Sequence, residues 1–568
     1  MNKRSILTLC LVIALLLTMT ACAGQTTTTT AKPAGTTAGG TTAAATTANA
    51  LAKIADSANV SPKGQFPIVK SGIKLTVATP VNAKVENIDT NELTKWIEST
   101  SGIDLVFTQL SPNDAQTQIN LMFTSKQLPD LVWGYGFSYA ALSDYVDGGY
   151  VAPLDDEIAA YGQNYQAFLD KVSVKNAEAY VKIDGKVYAV PTCTELITNI
   201  YAGYTFRYQG AWLDKLKLKE PTTLDEFYAM LVAFRDQDPN GNGKKDEIPM
   251  AGYKDANQTL RYIGNCFQYT DASNFQKVNN GKISFVANND KFKQTIQYLK
   301  KLVDEKLYDP ASFTQDAASL KTTNSQADTL VGVDANGNMI SSVFDSTLER
   351  YHTMQPLGAL KGPDGYQSTP IQPVAINRAM IMTTACKAPG AAYRLMDMML
   401  SEEAAVRTRI GVKGKQWDTA DQGVPGRDGA QSLYKLLTPQ EWIQAKTNVI
   451  WDVESICYSN VMNHVSAVKD SSGYYEVGYY AGLKCQSSLM KTVTNEHLTS
   501  LIMSGEQSKK YEDLKTLITT YVNQNATLFI LGDRPMSEWD AYVAEFKKMG
   551  VDEYVKLAQD AYDAMNKK

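Results

Sequence analysis

Histidine is nearly absent from this 568-residue chain: His352, His464 and His497 are all it has. Chemistry that needs several imidazoles, as general bases or zinc ligands, is therefore not expected. There is no CxxC, no HExxH and no GxSxG, so the common zinc-site, metalloprotease and serine-hydrolase signatures are missing too. Cationic excess is also lacking. Lys and Arg total 55 against 60 Asp and Glu, a formal net charge of -5. Nucleic acid is not an expected partner, because phosphate binding takes clustered Lys and Arg. Of seven cysteines, Cys10 and Cys22 fall in the N-terminal segment. Cys193, Cys266, Cys386, Cys457 and Cys485 remain, odd in number and widely spaced, which excludes a dense disulfide scaffold. Most of these read as small buried hydrophobes, and a single disulfide stays open.

What is present is ordinary globular composition, 44% hydrophobic and 20% charged, with Tyr 31, Phe 16 and Trp 7. The length suffices for two or more lobes with separate cores. The N-terminus reads "MNKRSILTLCLVIALLLTMTACAGQ". Lys3 and Arg4 precede an apolar run from Ile6 to Leu17, the layout of an export signal. Met19-Thr20-Ala21-Cys22 resembles a bacterial lipobox, in which the cysteine is diacylated and becomes the mature N-terminus. Met19 departs from the usual Leu there, and an ordinary secretory cleavage site is the alternative. Residues 23–65 begin with a Thr/Ala/Gly tract that cannot bury a core and is expected to be a flexible tether. These features give a place outside the cytoplasmic membrane, held by Cys22, but no activity.

The body opens with "SGIKLTVATPV", a strand by its alternation. A helix follows with Leu93, Trp96 and Ile97 on one face and Gly102 placed to end it. A second strand in "GIDLVFTQL", a helix around Ala115 to Thr124 and a short strand in "LPDLVWG" complete β-α-β-α-β, the start of a parallel sheet covered by helices. Further on, Thr223 and Glu226 form a capping box. Phe227, Met230, Leu231 and Phe234 then repeat at helical spacing, as do Phe292, Ile296, Leu299 and Val303. The last hundred residues read as mainly helical, with Gly550 separating two helices. The expected fold class is α/β, in two lobes with a helix-rich C-terminal portion.

One loop carries metal-ligand spacing. In "DPNGNGKKDEIP", Asp238, Asn240 and Asn242 take positions 1, 3 and 5, Gly243 sits at 6, and Lys244 offers a carbonyl at 7. Alternate residues of a tight turn point inward and Gly permits the bend, as in an EF-hand. Oxygen donors suit a hard cation of Ca²⁺ size, and Asp246 and Glu247 can complete the shell. Pro249 stands where an EF-hand has its final Glu, so this is not a true EF-hand. A solvated Asn/Gly turn is the plain alternative.

From about Ile73 to the C-terminus the chain resembles the family 1 extracellular solute-binding proteins of ABC importers, in the LipO-type lipoprotein subgroup related to alginate-binding proteins. The resemblance rests on "LPDLVW", "GGYVAPLDDEIAAYG", "IDGKVYAVP", "AWLDKLKLKEPTTLDEFYAML", "DPNGNGKKDEIP", "LGALKGPDG" and "LFILGDRPMSEWDAYVAEFKKMGVDEYVKLAQDAYD". It implies two α/β lobes of the periplasmic-binding-protein type, type II-like, closing on a sugar between them. It also implies one structural Ca²⁺ held by Asp238, Asn240, Asn242, the Lys244 carbonyl, Asp246 and Glu247. The implied partners are an oligosaccharide, ABC permease subunits and, through the lipid, the membrane; a monomer is expected. The family's usual Arg-x-Asp-Trp stands here as "RYQGAW", with Arg207 two residues out of register.

The first lobe is placed at residues 66–200 and about 325–375, and the second at about 201–324 and 376–568. Aromatic rings that can cover the apolar face of a pyranose are sought at Trp133 and Tyr135, just past the third strand, and at Trp212, Trp417 and Trp451. Trp96 and Trp539 read as packing. Binding without catalysis is the expectation. An exported carbohydrate-active enzyme, whose two carboxylates sequence does not reveal, and a binder of peptides or cell-wall fragments remain as alternatives.

Overall fold

In the computed structural model the described residues are 56–254, 257–335, 353–438, 446–451, 456–466 and 477–566. The signal segment 1–22 with Cys22, and the tether up to residue 55, lie outside them. The alternation of "IKLTVATP" forms strand β1 (Ile73–Pro80), with Leu75, Val77 and Ala78 buried. The helix Glu92–Ser101 starts where the Asn91 side chain accepts from the Leu93 N–H at 2.9 Å. It stops at Gly102, whose φ of 75° costs a residue without Cβ nothing. Strand β2 (Ile103–Leu110) pairs in parallel with β1, Ile73 opposite Ile103. After the helix Ala115–Thr124, strand β3 (Leu131–Trp133) joins the other side of β1, also in parallel. The expected β-α-β-α-β is present.

The remaining strands of the two main sheets are β4 (Val190–Thr194), β5 (Arg207–Gln209), β6 (Ile248–Ala251), β7 (Val331–Asp334), β8 (Met354–Pro356), β9 (Asn377–Met382) and β10 (Tyr458–Ser459). The first sheet runs β10-β4-β9-β3-β1-β2 and the second β8-β5-β7-β6. This moves the expected lobe boundaries. Residues 325–375 were placed with the first lobe, yet β7 pairs with β6 (Val331 opposite Ile248) and β8 with β5, all in the second sheet. Residues from 376 were placed with the second lobe, yet β9 is antiparallel to β3, Met380 opposite Trp133, in the centre of the first sheet. The cause is physical: strands of three to six apolar residues suit either sheet, and only long-range pairing decides which one they join.

Each sheet has its own core. Leu75, Val77, Val132, Ile381 and Tyr393 belong to the first, and Phe206, Phe227, Met250, Phe292 and Tyr542 to the second. The C-terminal helices Gly505–Leu531, Trp539–Lys548 and Val551–Asn566 pack on the second core, with the break at Gly550 (φ 85°) where it was expected. Trp539 is buried there against Phe529 and Tyr542.

Among the described residues three stretches cross between the sheets: 195–206, 357–376 and the part of the chain around 488–504. They are laced together. Gln372 N–H donates to the Ile200 carbonyl at 2.9 Å and Thr369 N–H to the Thr492 carbonyl at 3.1 Å. Ala202, Ala481, Cys485 and Leu489 form a small core of their own at this junction.

The tether ends sooner than the expected residue 65. Residues 56–70 fold onto the first lobe, where the buried Arg394 donates Nη1 to the Ser61 and Pro62 carbonyls and Nη2 to the Gln65 carbonyl at 2.9 Å. The Cys193, Cys266, Cys386, Cys457 and Cys485 thiols are free, and all but Cys386 are buried.

Candidate functional site

The loop 238–247 lies between the helix Leu224–Asp236 and β6. Gly241 and Gly243 take φ of 76° and 77°, the bends that the glycine spacing predicts. The Asp238 carboxylate accepts from Gly241 N–H at 2.9 Å through one oxygen and from Gly243 N–H at 3.1 Å through the other. Asn240 and Asn242 accept from the N–H groups two residues on, at 3.0 and 2.8 Å. Both carboxamide nitrogens converge on Asp246 Oδ1 at 3.2 Å.

Both Glu247 carboxylate oxygens are buried without a hydrogen bond of ordinary geometry. Burial, with the charges of Asp238 and Asp246 added, pushes this carboxyl up, although nearby backbone N–H groups partly offset the rise. Asp328 also reaches the loop, its Oδ2 accepting from Asn242 Nδ2 at 3.4 Å, a contact nothing in the local sequence signals. Among the described residues no three His, Cys, Asp or Glu groups converge on one point. Any cation here must therefore draw on carboxamide and carbonyl oxygens too.

The second feature is the edge of the first sheet at which β1 and β3 end. Open α/β sheets bind ligands outside the carboxyl ends of their parallel strands. Gly134 N–H donates to the Ala379 carbonyl at 2.8 Å, so Arg378, near the start of β9, stands beside Tyr135. Half-buried Tyr135 packs edge-on against Phe137, and its hydroxyl donates to Gln116 Oε1 at 2.7 Å. Gln116 in turn donates to the Asn120 side chain at 3.0 Å. Arg378 donates Nε to the Tyr180 carbonyl and Nη1 to the Phe137 carbonyl, and lies 5.4 Å from the Tyr139 ring. Tyr180 reaches the third crossing segment, donating its hydroxyl to the Ser500 carbonyl at 2.7 Å. This edge therefore carries aromatic rings, amide groups and a cation where the crossing segments meet.

The five candidate rings do not come together. Tyr135 is at the edge just described. Trp133 is 0% exposed, with its Nε1 buried and unpartnered. Trp212 is 3% exposed and packs on Phe234 in the second core. Trp451 is 2% exposed, donates Nε1 to Thr94 Oγ1 at 3.1 Å and packs on Phe107. These three tryptophans are core residues, a correction to their reading as sugar platforms. Trp417 is half-exposed on a hairpin with Tyr434, its Nε1 donating to the Gly411 carbonyl at 3.1 Å. Arg207 is buried at the junction, where Nη2 donates to the Ala202 carbonyl and burial pushes the guanidinium down to about 10.

A polar cavity of about 330 Å³ opens at the junction, lined by Tyr204 and Gln372 of two crossing segments, Ser500 of the third, and Asp271, Tyr511 and Lys515 of the second lobe. Arg261 covers the Tyr204 ring at 3.7 Å and pairs with Asp271 at 3.0 Å. A larger recess of about 540 Å³ lies wholly on the second lobe, between the helix Gly505–Leu531 and the end of β6. Since no first-lobe residue lines it, it is not an interlobe site.

The chain is 24% identical over 508 residues to the fructooligosaccharide ABC transporter substrate-binding protein FusA of Streptococcus pneumoniae, covering 86% of this chain and 89% of that one. It is 22% identical over 522 residues to lipoprotein LipO of Bacillus subtilis, covering 87% and 93%. FusA in complex with kestose matches with a TM-score of 0.66, 22% identity and coverage of 87% and 99%. An EF-hand mutant of FusA has also been solved with fructo-nystose, and matches with the same TM-score. An HMO-binding, ABC-transporter-associated solute-binding protein from Bifidobacterium longum infantis matches with a TM-score of 0.71, 20% identity and coverage of 88% and 100%. The fold is thus the two-lobed solute-binding fold. The family model for bacterial extracellular solute-binding proteins matches residues 88–406, more than half of the chain, and the protein belongs to that family.

Proposed function

We propose that this protein captures an oligosaccharide between its two lobes and delivers it, chemically unchanged, to an ABC permease. The observation that carries the reading is the aromatic and amide-lined edge at Tyr135 and Gln116, set where the crossing segments join the two sheets. Rings can cover a pyranose face while amides take its hydroxyls, and hinge closure buries the ligand and forms the face a permease reads. Relatives with sugar ligands in their names support the sugar class. A diacylated Cys22 would hold the protein on the outer side of the membrane, a reading supported by the lipoprotein relative. Among the described residues no helix is long and apolar enough to cross a membrane.

The loop 238–247 fits a structural Ca²⁺. Its Glu247 carboxylate oxygens are buried beside Asp238 and Asp246, a concentration of negative charge that nearby backbone N–H groups only partly offset. Asp238, Asn240, Asn242, the Lys244 carbonyl, Asp246 and Glu247 would hold the ion, with the two carboxamides turned to present oxygen. The ion would tie the end of one helix to β6 and take no part at the sugar edge.

A thermal-shift screen of the body against oligosaccharides, with and without EDTA, tests the reading, because ligands of the native state raise its melting temperature by mass action. A shift with one glycan class is expected, along with a drop on chelation. A shift with peptides alone, or turnover of a labelled glycan, would replace the reading by one of its rivals.

A further inference from the structure

Most of the described arginines meet a carboxylate or have their donors taken by other groups. Arg235 pairs with Asp236, Arg261 with Asp271, Arg407 with Glu403 and Arg534 with Glu538. Arg394 uses both ends of its fork on backbone carbonyls. Arg378 differs. It makes no ion pair with any described residue, and only Nε and Nη1 are engaged, on the Tyr180 and Phe137 carbonyls. Its Nη2 finds no acceptor among the described residues, yet it is not among the fully buried unpartnered atoms, so it reaches solvent.

This guanidinium stands at the carboxyl end of β3, beside Tyr135 and Tyr139, where a captured ligand would lie. We infer that Arg378 makes this edge selective for a carboxylate-bearing glycan, a uronic-acid oligosaccharide, with Nη2 and the guanidinium charge meeting one sugar carboxylate.

The chemistry favours an anion over a hydroxyl. A guanidinium keeps its charge at any ordinary pH. Burial pushes Arg378 down to about 10, well above neutrality, so the cation persists at a cost in desolvation that no anion among the described residues offsets. A ligand carboxylate offsets it, through a charge-assisted hydrogen bond that is stronger and shorter than one to a neutral hydroxyl. The Nε and Nη1 bonds fix the plane of the fork, so that little ordering is left for the ligand to impose.

This inference rests on the oligosaccharide reading, and the test separates the two. The unaltered protein is titrated by calorimetry with an oligogalacturonide and with the same oligomer as its methyl ester, at low and high salt. The free acid is expected to bind roughly tenfold tighter than the ester at low salt, with the gap narrowing as salt screens the pair. In Arg378→Gln the gap should close, and in Arg378→Lys part of it should remain. Acid and ester binding alike would overturn the role of Arg378 and leave the sugar reading standing. Failure of the acid, the ester and every neutral glycan to bind would overturn both. The comparison of acid with ester needs no variant, so it stands even where a substitution at Arg378 harms folding.

Discussion

The Tyr180 hydroxyl donates to the Ser500 carbonyl at 2.7 Å, joining the first lobe to the third crossing segment. Tyr180 also accepts from Arg378 through its own carbonyl, so one residue links the sheet edge at Tyr135 to that crossing segment. Tyr180→Phe keeps the ring and removes this bond. It should cost about 1 kcal/mol of stability, the usual net worth of such a bond, and weaken ligand affinity several-fold by loosening closure. Chemical denaturation and titration of the same preparation check both effects.

The loop 238–247 makes a prediction in which stability and affinity part company. Asp238→Ala removes the acceptor of two backbone N–H groups and one of the proposed calcium ligands. The melting temperature should fall, and its response to added Ca²⁺ or EDTA should vanish, while sugar affinity below the melting transition stays within about twofold of the parent. A large loss of affinity at unchanged stability would move the loop into the ligand site.

Arg394→Ala should release residues 56–70. Three backbone carbonyls lose a charged donor, two of them beside buried Ser61 and Val60, a loss worth about 2–4 kcal/mol by the cost of unmaking buried charged hydrogen bonds. Limited proteolysis should then cut within 56–70 while the rest of the first lobe stays resistant. Cleavage confined to residues before 56 in both proteins would contradict the clamp.

Two aromatic substitutions separate core from site. Trp212→Ala removes a buried ring packed on Phe234 and should cost about 3–5 kcal/mol, as large-to-small changes in a core do. Tyr135→Ala removes a half-buried ring at the sheet edge and should weaken sugar binding with a much smaller loss of stability. Melting curves and titrations of the pair decide it; equal stability losses would return Tyr135 to the core.

Much of this was readable from the chain. The alternation in "IKLTVATP", the helical stripe at Leu93 and Ile97, and Gly102 as a stop all act over a few residues, and local pattern captures them. The loop 238–247 was readable for the same reason, since its glycines and oxygen donors lie within ten residues of one another. The lobe boundaries were not. Whether "VGVD" at 331–334 pairs with β6 or with the first sheet depends on contacts about eighty residues away in sequence. Trp133 and Trp451 misled because a tryptophan before a glycine or in an apolar run looks the same whether its ring faces a ligand or a core. Arg378 gave no sign at all. Its interest lies in the carboxylate it does not meet, and sequence does not display missing partners.

One measurement tests capture without chemistry directly. The purified body is titrated calorimetrically with a defined oligosaccharide picked out by the thermal screen, and the ligand is then recovered and sized. Saturable binding of one ligand per chain and recovery of the oligosaccharide intact are expected. Shorter products in the recovered fraction, or saturation only with peptides, would contradict it.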